Sequence, residues 1–400
     1  PRHIHLAEVV LPCAELDETL AFFVERLGFR VQAISPADDP RAAVVAGYGV
    51  RLRLQRDAPG PAGVLRLICR DVAGVAGGAT RLTAPNGTRI ELVDADPPVA
   101  LPPLRPSFVL SRGGGDGNWK AGRAGMLYRD LVPGRQGGRF IASLIRIVEG
   151  GPVPDYVHFH KVRFQIIFCR RGWARLVYED QGSPFLLREG DCVLQPPTIR
   201  HRVLESAPGT EVIEIGCPAE HETLADHETP LPTPTPPNPG RSFGGQRFVR
   251  HEASAALWRP WRRAGFEFRD TGIAAATDGL AGVVVARRRP EAPAAEAGAA
   301  RPDAEAGRAE APAAEAGASR PDAEAGRAEA LCHDAELLFT FVLAGAASLR
   351  CAGQGEYRVE AGDSFVVPAG TPFALEAPSD DLELLEVALP AAFGDRAPAS

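Results

Sequence analysis

Three stretches of this 400-residue chain cannot contribute to a hydrophobic core, and they limit how the rest can fold. Residues 230–240 are dominated by proline, which favours an extended spacer. Residues 290–330 contain almost no large apolar side chain, and within them residues 301–311 recur unchanged as residues 320–330. A softer break, rich in proline and glycine, begins at residue 97. Since one core rarely organises so long a chain, we expect three folded parts and a linker. They are residues 1–98, residues 99–228, a linker at 229–245, and residues 246–396 with a low-complexity insertion at 290–330.

Composition and charge narrow the class of protein. Hydrophobic residues make up 45% of the chain and charged residues 24%, which is typical of a folded, water-soluble protein. No apolar run is long enough for a transmembrane helix, and the basic residues are spread along a chain of net charge −7. We therefore expect a cytoplasmic protein that acts on a small molecule, with neither a nucleic acid nor a membrane as its partner.

The first part of the chain combines a helix with extended runs. Apolar residues recur at helical spacing between Leu16 and Leu27, and residues 50–54, 64–68 and 89–93 alternate between apolar and polar. This order predicts one β-α-β-β-β module of the α+β class. The sequence of residues 11–29 resembles the opening of a module of the glyoxalase, or vicinal-oxygen-chelate, family.

The middle and last parts consist of short alternating runs separated by glycine and proline, with little helical periodicity. This pattern is typical of antiparallel barrels and jelly rolls. The fold class expected for the whole chain is therefore mainly β, with two barrels after the α+β module.

A group of histidines in the middle part has the spacing of a metal site. His158 and His160 are two residues apart on an extended run, so their imidazoles point to the same face and can reach one ion. His201 supplies a third imidazole about forty residues further on. Gln165 lies five residues beyond His160, an odd separation that needs a bulge or twist to share that face.

The residues around these histidines resemble the two motifs of the cupin superfamily. The matching positions are Gly151, His158, His160, Gln165, Gly172, Gly190, Pro196 and His201. Two positions depart from the pattern, since Gln165 stands where the family usually has Glu and Thr198 where it usually has Gly. The resemblance implies a jelly-roll barrel that binds a metal ion through His158, His160 and His201. Gln165 is either a fourth ligand or a hydrogen-bond partner of a ligand or of bound substrate.

The last part repeats the cupin arrangement without its ligands. His333 occupies the place that matches His160, but the other ligand places hold Leu331, Leu338 and Phe373. Apolar side chains cannot bind a metal ion. We therefore expect the second barrel to be structural or to form a homodimer through the barrels.

The ligand set favours one type of chemistry. Three neutral imidazoles leave Fe(II) with its full charge and with open positions, which favours an anionic chelating substrate and O2 as cosubstrate. Cupins without the Glu ligand resemble thiol dioxygenases and diketone-cleaving dioxygenases in this respect. We slightly prefer a sulfinate-forming thiol dioxygenase over cleavage of a diketone or an aromatic ring. Imidazole also suits nickel, copper and zinc, and these metals and manganese stay open.

Three further side chains are candidates for contact with the substrate. Arg163 and Arg200 are each able to hold a carboxylate with two hydrogen bonds, and Tyr156 shares the strand face of His158. Residues 216–228 carry His221 and His227 and are expected to form a solvated loop, with a flap over the barrel mouth as the alternative.

Two other functions remain open at this point. A non-redox isomerase or lyase would use the ion as a Lewis acid, but it needs a general base, and no other His or Glu stands out in the motifs. A bicupin that binds a small molecule without catalysis is the third alternative.

Overall fold

The computed structural model describes residues 3–114, 119–289 and 330–396, with the side chains of residues 395 and 396 left out. The chain divides into two compact units, Pro1–Pro98 and Val99–Ser400. Almost all of the predicted insertion at 290–330 lies outside the described residues. Among the described helices, none combines the length and the apolar character needed to cross a lipid bilayer.

The first unit contains two short β-α-β arrangements around one core. Helix α1 continues as a π-helical turn, Phe22–Arg26, and buries Leu16 and Phe23, which confirms the predicted helix. The elements are β1 Val9–Pro12, α1 Leu16–Ala21, β2 Arg30–Ser35, β3 Ala42–Gly47, β4 Val50–Gln55, β5 Val64–Cys69, α2 Val72–Ala76, β6 Arg81–Thr83 and β7 Arg89–Asp94.

These elements form two sheets where the sequence predicted one module. The first sheet has the order β1-β4-β3-β2, and the second has the order β5-β7-β6. In each sheet the strand before the helix pairs in parallel with the last strand, so the second sheet repeats the first in a shorter form. Sequence patterns did not reveal this repeat because α2 has five residues and β6 has three. Asp71 caps the start of α2 through the backbone N–H of Gly74, and Gly77 ends it in a left-handed conformation.

The second unit begins with the strands that build the first barrel. Its elements are β8 Val109–Ser111, β9 Lys120–Ala121, a 3₁₀ turn Arg123–Gly125, β10 Leu127–Asp130, α3 Arg135–Gly138, β11 Ile141–Ile147, β12 Gly151–Pro152, β13 His158–Phe159, β14 Phe164–Arg171, β15 Trp173–Tyr178, β16 Phe185–Arg188, β17 Cys192–Leu194, β18 His201–Ser206, β19 Thr210–Cys217 and β20 Leu224–Ala225. One sheet includes the strands β17-β14-β19-β11-β10-β9 in this order, and the other has the order β16-β15-β18-β13-β20, with β12 beside β18. The ladders within this barrel are antiparallel, as the alternating pattern predicted.

The second barrel follows with the same design. Its elements, together with the connecting segments, are β21 Ser242–Phe243, β22 Gln246–Arg247, β23 Val249–His251, a 3₁₀ turn Ala253–Ala255, β24 Arg259–Pro260, β25 Phe266–Asp270, α4 Ile273–Ala276, β26 Gly282–Arg288, β27 Cys332–His333, β28 Leu337–Ala344, β29 Ala346–Cys351, β30 Gly355–Glu360, β31 Ser364–Val366, β32 Phe373–Glu376, β33 Glu383–Leu389 and β34 Asp395–Arg396. Its main sheet has the order β24-β25-β26-β33-β28-β31-β8, and it faces a sheet of order β30-β29-β32. The mainly-β class predicted from the sequence is confirmed.

The two barrels exchange edge strands. Strand β8, which precedes the first barrel, pairs with β31 of the second, and β23, which precedes the second barrel, pairs with β17 of the first. One hydrophobic cluster draws on both barrels, with Phe164 and Ile166 from the first and Phe339 and Phe341 from the second. The two barrels are therefore joined by backbone pairing as well as by apolar packing.

A buried arginine from each barrel reinforces this junction. Arg129 donates a hydrogen bond to the carbonyl oxygen of Gly362 at 2.9 Å, and Arg269 donates one to the carbonyl oxygen of Gly190 at 3.0 Å. Both arginines are only 4% exposed. Each therefore uses a charge-assisted hydrogen bond to hold a tight turn of the other barrel.

Candidate metal centre

Three histidines of the first barrel meet at one point. His158 on β13 lies directly opposite His201 on β18, and His160 is the first residue after β13. The ring centroids of His158 and His201 are 4.2 Å apart, and those of His160 are 5.3 and 5.4 Å from them. All three side chains are buried, and one ring nitrogen of each lies within 4.8 Å of the others. This is a spacing that one metal ion can bridge.

Backbone carbonyls fix the protonation of the three rings. In each ring Nδ1 lies at hydrogen-bond distance from a carbonyl oxygen, and because a carbonyl only accepts, Nδ1 must carry the proton. Each Nε2 is then the nitrogen with a free lone pair, as in histidines that bind metals. The carbonyls are those of Tyr156 for His158 at 2.8 Å, Glu222 for His160 at 3.1 Å, and Ile199 for His201 at 3.0 Å.

Burial keeps these imidazoles neutral. Loss of solvent lowers the pKa of His160 to about 3 and holds the pKa of His201 well below its usual value. Loss of solvent also lowers the pKa of His158, and the nearby cation of Arg123 adds to the effect. The three lone pairs are therefore available at neutral pH, and the donor set fits an imidazole-preferring metal such as iron, copper, nickel or zinc.

The histidines line a cavity of about 440 Å³ inside the barrel. Most of its wall is aliphatic, and a few polar groups converge on it, which is typical of a small-molecule site. The aliphatic wall includes Ile141, Ile145, Ile147, Ile167, Val203 and Val212. The polar groups include Lys120, Arg123, Tyr128, Ser143, Gln165 and Glu214.

Gln165 lies in this cavity together with the three histidines, and it is 1% exposed. Its amide nitrogen donates a hydrogen bond of 2.5 Å to the carboxylate of Glu214 on β19. Sequence reasoning missed Glu214 because it lies outside both motifs. The available signal was a charged residue in the apolar run at residues 212–217, two residues from the cavity-lining Val212 and therefore on the same face.

Arg123 is a second cavity residue that the motifs did not indicate. Its Nη2 lies 3.1 Å from Nε2 of His158, the nitrogen that an ion would bind, and its Nη1 pairs with the carboxylate of Asp155. Asp155 is buried and also accepts the backbone N–H groups of Tyr156 and Val203 at 2.9 and 3.0 Å. A fixed carboxylate therefore holds a cation beside the histidine cluster. An ion bound to His158 would replace the contact with Arg123.

Arg163 does not line the cavity, so the sequence-based expectation that it contacts a substrate is not supported. It donates a 2.9 Å hydrogen bond to Glu336 of the second barrel, which also accepts one of 2.6 Å from Arg139. The physical reason is local. Strand β13 ends at Phe159 and β14 begins at Phe164, so Arg163 lies in the connection between the strands, and its offset from the histidines does not place it on their face.

Arg200 and Tyr156 also lie outside the cavity. Arg200 donates a 2.9 Å hydrogen bond to Asp226 and covers the ring of Phe159, with 4.3 Å between the guanidinium carbon and the ring centroid. As a direct neighbour of His201 on a strand, it must point to the opposite face. Tyr156 is 39% exposed and does not line the cavity, although its ring centroid is 6.0 Å from that of His158.

Residues 216–228 lie against the histidines, where the sequence had favoured a solvated loop. Strand β20 pairs with β13, and His158 lies opposite Ala225. His221 lines the cavity, and its ring centroid is 5.1 Å from that of His160. Residues 216–228 therefore correspond to the flap over the barrel mouth that the sequence allowed as the alternative to a solvated loop.

The equivalent positions of the second barrel are filled by packed side chains. Leu338 and Phe373 are 3% exposed and belong to its hydrophobic cluster, and Leu331 forms a backbone bridge to Phe373. His333 is buried, with Nε2 at 2.8 Å from the carbonyl oxygen of Val367.

Comparison with solved structures found matches of low sequence identity. The oxalate decarboxylase of Lactobacillus farciminis in its formate complex is 13% identical to this chain, with a TM-score of 0.47. The match covers 75% of this chain and 89% of the decarboxylase. The oxalate decarboxylase of Bacillus subtilis, which has Mn(II) centres, is 14% identical, covers 75% and 80%, and has a TM-score of 0.46. The salicylate 1,2-dioxygenase of Pseudaminobacter salicylatoxidans is 15% identical, covers 68% and 80%, and also has a TM-score of 0.46.

A search of curated proteins found no match. Among family models, the one described as Cupin domain matches residues 322–388, which include most of the second barrel. This part of the chain is therefore similar to a cupin domain.

Proposed function

We propose that this chain is a metal-dependent enzyme whose active site is the histidine centre of the first barrel. The observation that supports this most is the common arrangement of His158, His160 and His201, each with Nδ1 tied to a carbonyl and Nε2 directed to shared space. Fe(II) bound at this centre would activate O2, and nickel, copper, zinc and manganese are the alternative metals.

The proposed reaction is a dioxygenation of a small anionic chelating substrate. Three neutral imidazoles leave the charge of a divalent ion uncompensated, which favours an anion beside it. The cavity also holds two cations, Lys120 and Arg123, of which Arg123 is fixed by Asp155. An ion at His158 would release Nη2 of Arg123, which could then pair with a carboxylate of the substrate.

The cavity changes the preferred substrate class. A volume of about 440 Å³ with a largely aliphatic wall exceeds what a small thiol fills. An aromatic ring with adjacent hydroxyl and carboxylate groups, or a diketone, would bury more apolar surface against residues such as Ile145 and Ile167. We therefore prefer ring or diketone cleavage to formation of a sulfinate.

Oxygen consumption by iron-loaded protein tests this proposal. A panel of ortho-hydroxy aromatic acids, 1,3-diketones and thiols is supplied in turn, and ¹⁸O2 follows both oxygen atoms into the product. We expect uptake with the first two classes and a loss of uptake in His158→Ala, His160→Ala and His201→Ala. Absence of uptake across the panel, or equal rates after removal of the metal, contradicts the proposal.

A non-redox lyase or isomerase is the second candidate, and Glu214 is the observation that favours it. Such an enzyme needs a general base, which the motifs did not provide, and Glu214 supplies a carboxylate inside the cavity. Anaerobic turnover of keto acids or sugars by the metal-loaded protein, lost in Glu214→Gln, would support this class over the dioxygenase.

We also propose a small molecule as the only class of catalytic partner and a homodimer formed through the barrels. Light scattering of the purified protein decides the oligomeric state, with a mass of twice 42.5 kDa expected. A single-chain mass at all concentrations tested would contradict the homodimer.

A further inference from the structure

Glu214 carries a charge at an inward position that the cupin motifs do not account for. We propose that Glu214 is a positioning residue, which turns the amide oxygen of Gln165 toward the ion and supplies the negative charge that Gln165 lacks. This inference rests on the proposed metal centre and does not depend on which reaction the centre catalyses.

The argument starts from the hydrogen bond between the two side chains. A carboxylate only accepts, so the amide must direct its NH2 group to Glu214, as the 2.5 Å contact between Nε2 and Oε1 shows. The amide oxygen is then the end of the planar group that Glu214 leaves free, and Gln165 lines the cavity that the histidines share. Oxygen is the atom of an amide that binds metal ions, so the carboxylate selects the orientation that suits a ligand.

The strand register explains why these two side chains meet. Along the β14–β19 ladder, Gln165 lies opposite Gly216 and Ile167 lies opposite Glu214. Glu214 is therefore the diagonal neighbour of Gln165, a separation that long side chains can bridge. Because Gly216 has no side chain, nothing stands between them. A Cβ at Gly216 would lie 3.4 Å from Ile141 and 3.6 Å from His221.

The charge of Glu214 gives the pair a second role. A carboxylate at position 165 would cancel part of the charge of a divalent ion directly, whereas an amide cannot. Because Glu214 is hydrogen-bonded to the amide of Gln165, its negative charge lies next to the amide and polarises the amide oxygen that would bind the ion. The ion keeps a neutral set of direct ligands while the site as a whole is less positive.

Metal affinity and the spectrum of bound Co(II) test this role without reference to catalysis. Full-length wild type, Glu214→Leu and Glu214→Gln are titrated with Mn(II), followed by EPR, and their Co(II) absorption bands are compared. Loss of an outer partner of a metal ligand weakens binding by about 10- to 100-fold, and we expect this loss and a shifted Co(II) spectrum in both variants. If Glu214→Leu does not fold, Glu214→Gln alone decides, because it preserves the shape of the side chain.

Two further variants make the test specific. Ser143 lies opposite Glu214 in the β11–β19 ladder and lines the same cavity, so Ser143→Ala is the matched control, expected within about twofold of wild type. The exchange Gln165→Glu with Glu214→Gln keeps one carboxylate and one amide in contact, and it should restore binding lost in Glu214→Gln.

The outcomes separate the two levels of the proposal. If wild type and His158→Ala bind Mn(II) equally weakly, the metal centre itself is wrong. If wild type binds, His158→Ala does not, and both Glu214 variants retain the wild-type affinity and Co(II) spectrum, only the role of Glu214 is refuted. Failure of the exchange to restore binding would overturn the role assigned to the charge of Glu214.

Discussion

The two barrels of this chain share a framework and differ in what fills it. The first encloses a cavity of about 440 Å³ with three histidines on its wall. At the place of His201, the second barrel has Phe373, which packs with Leu338 and other apolar side chains into a cluster. A few side chains therefore decide whether the interior of such a barrel is a core or a site.

The matching histidines of the two barrels show how the surroundings set the chemistry. His160 uses Nδ1 to donate to the carbonyl of Glu222, which leaves Nε2 free. His333 is arranged the other way, since its Nδ1 accepts the backbone N–H of Ala335 at 3.2 Å and its Nε2 donates to the carbonyl of Val367. The nitrogen that would bind a metal ion in the first barrel is thus occupied in structural hydrogen bonding in the second.

The largest expected effect comes from making the first barrel resemble the second. His201→Phe copies Phe373 and removes one of three ligands, so we expect at least about 100-fold weaker metal binding with the fold retained. Elemental analysis after dialysis measures the metal content, and circular dichroism checks the fold. The matched control is His333→Phe, which should keep the metal content while losing stability, because two buried backbone groups lose their partner.

The second-largest effect is expected from replacing Arg123, the cation beside the histidines. Arg123→Gln removes the charge proposed to pair with an anionic substrate, and hydrogen bonds to charged groups are worth about 1.5–3 kcal/mol. We expect KM for an anionic substrate to rise on the order of 10- to 100-fold while the protein still binds metal. An unchanged KM would show that the substrate's charge is held elsewhere.

The stability of the metal-free protein should depend on pH through the same histidines. Burial lowers their pKa in the folded state, whereas in the unfolded chain they take up protons below about pH 6.5. The unfolded state then binds more protons, so stability falls as the pH drops below this value, by up to about 1.4 kcal/mol per pH unit for each histidine.

Urea unfolding of metal-free protein between pH 7.5 and 5 measures this slope. His201→Phe removes one of the three titrating groups and should therefore show a shallower dependence. A slope that is equal in wild type and variant would argue against a buried, neutral His201.

The smallest effect is expected outside the cavity. Arg200→Met removes the pair with Asp226 but no cavity contact, so KM should change by less than about twofold. A rise comparable to that of Arg123→Gln would mean that Arg200 reaches the substrate after all.

Sequence spacing was sufficient for the parts of the site that lie within one local pattern. The two-residue interval of His158 and His160 fixed their common face, and the alternation of the strands predicted the barrels. Arg123 and Glu214 were not predicted, because they reach the cavity from a turn and a strand that lie outside the motifs. Their partners are set by the ladder register, which a single sequence does not specify.

Proximity in sequence was the source of the incorrect contacts. Arg163 lies in the connection between β13 and β14 and pairs with Glu336, whereas Arg200 is the direct neighbour of His201 and pairs with Asp226 on the other side of the backbone. In the first unit, strands β5 and β7 were predicted correctly. Their separation into a second sheet was missed for a different reason, since α2 and β6 are too short to show a period.

Anomalous X-ray scattering from crystals of metal-loaded protein tests the central claim most directly. Data collected at the absorption edge of the bound metal locate the ion independently of any assumed ligand. The account predicts one peak in the first barrel, about 2.0–2.2 Å from Nε2 of His158, His160 and His201, and none beside Phe373. A peak elsewhere, or none in protein that contains stoichiometric metal, would contradict it.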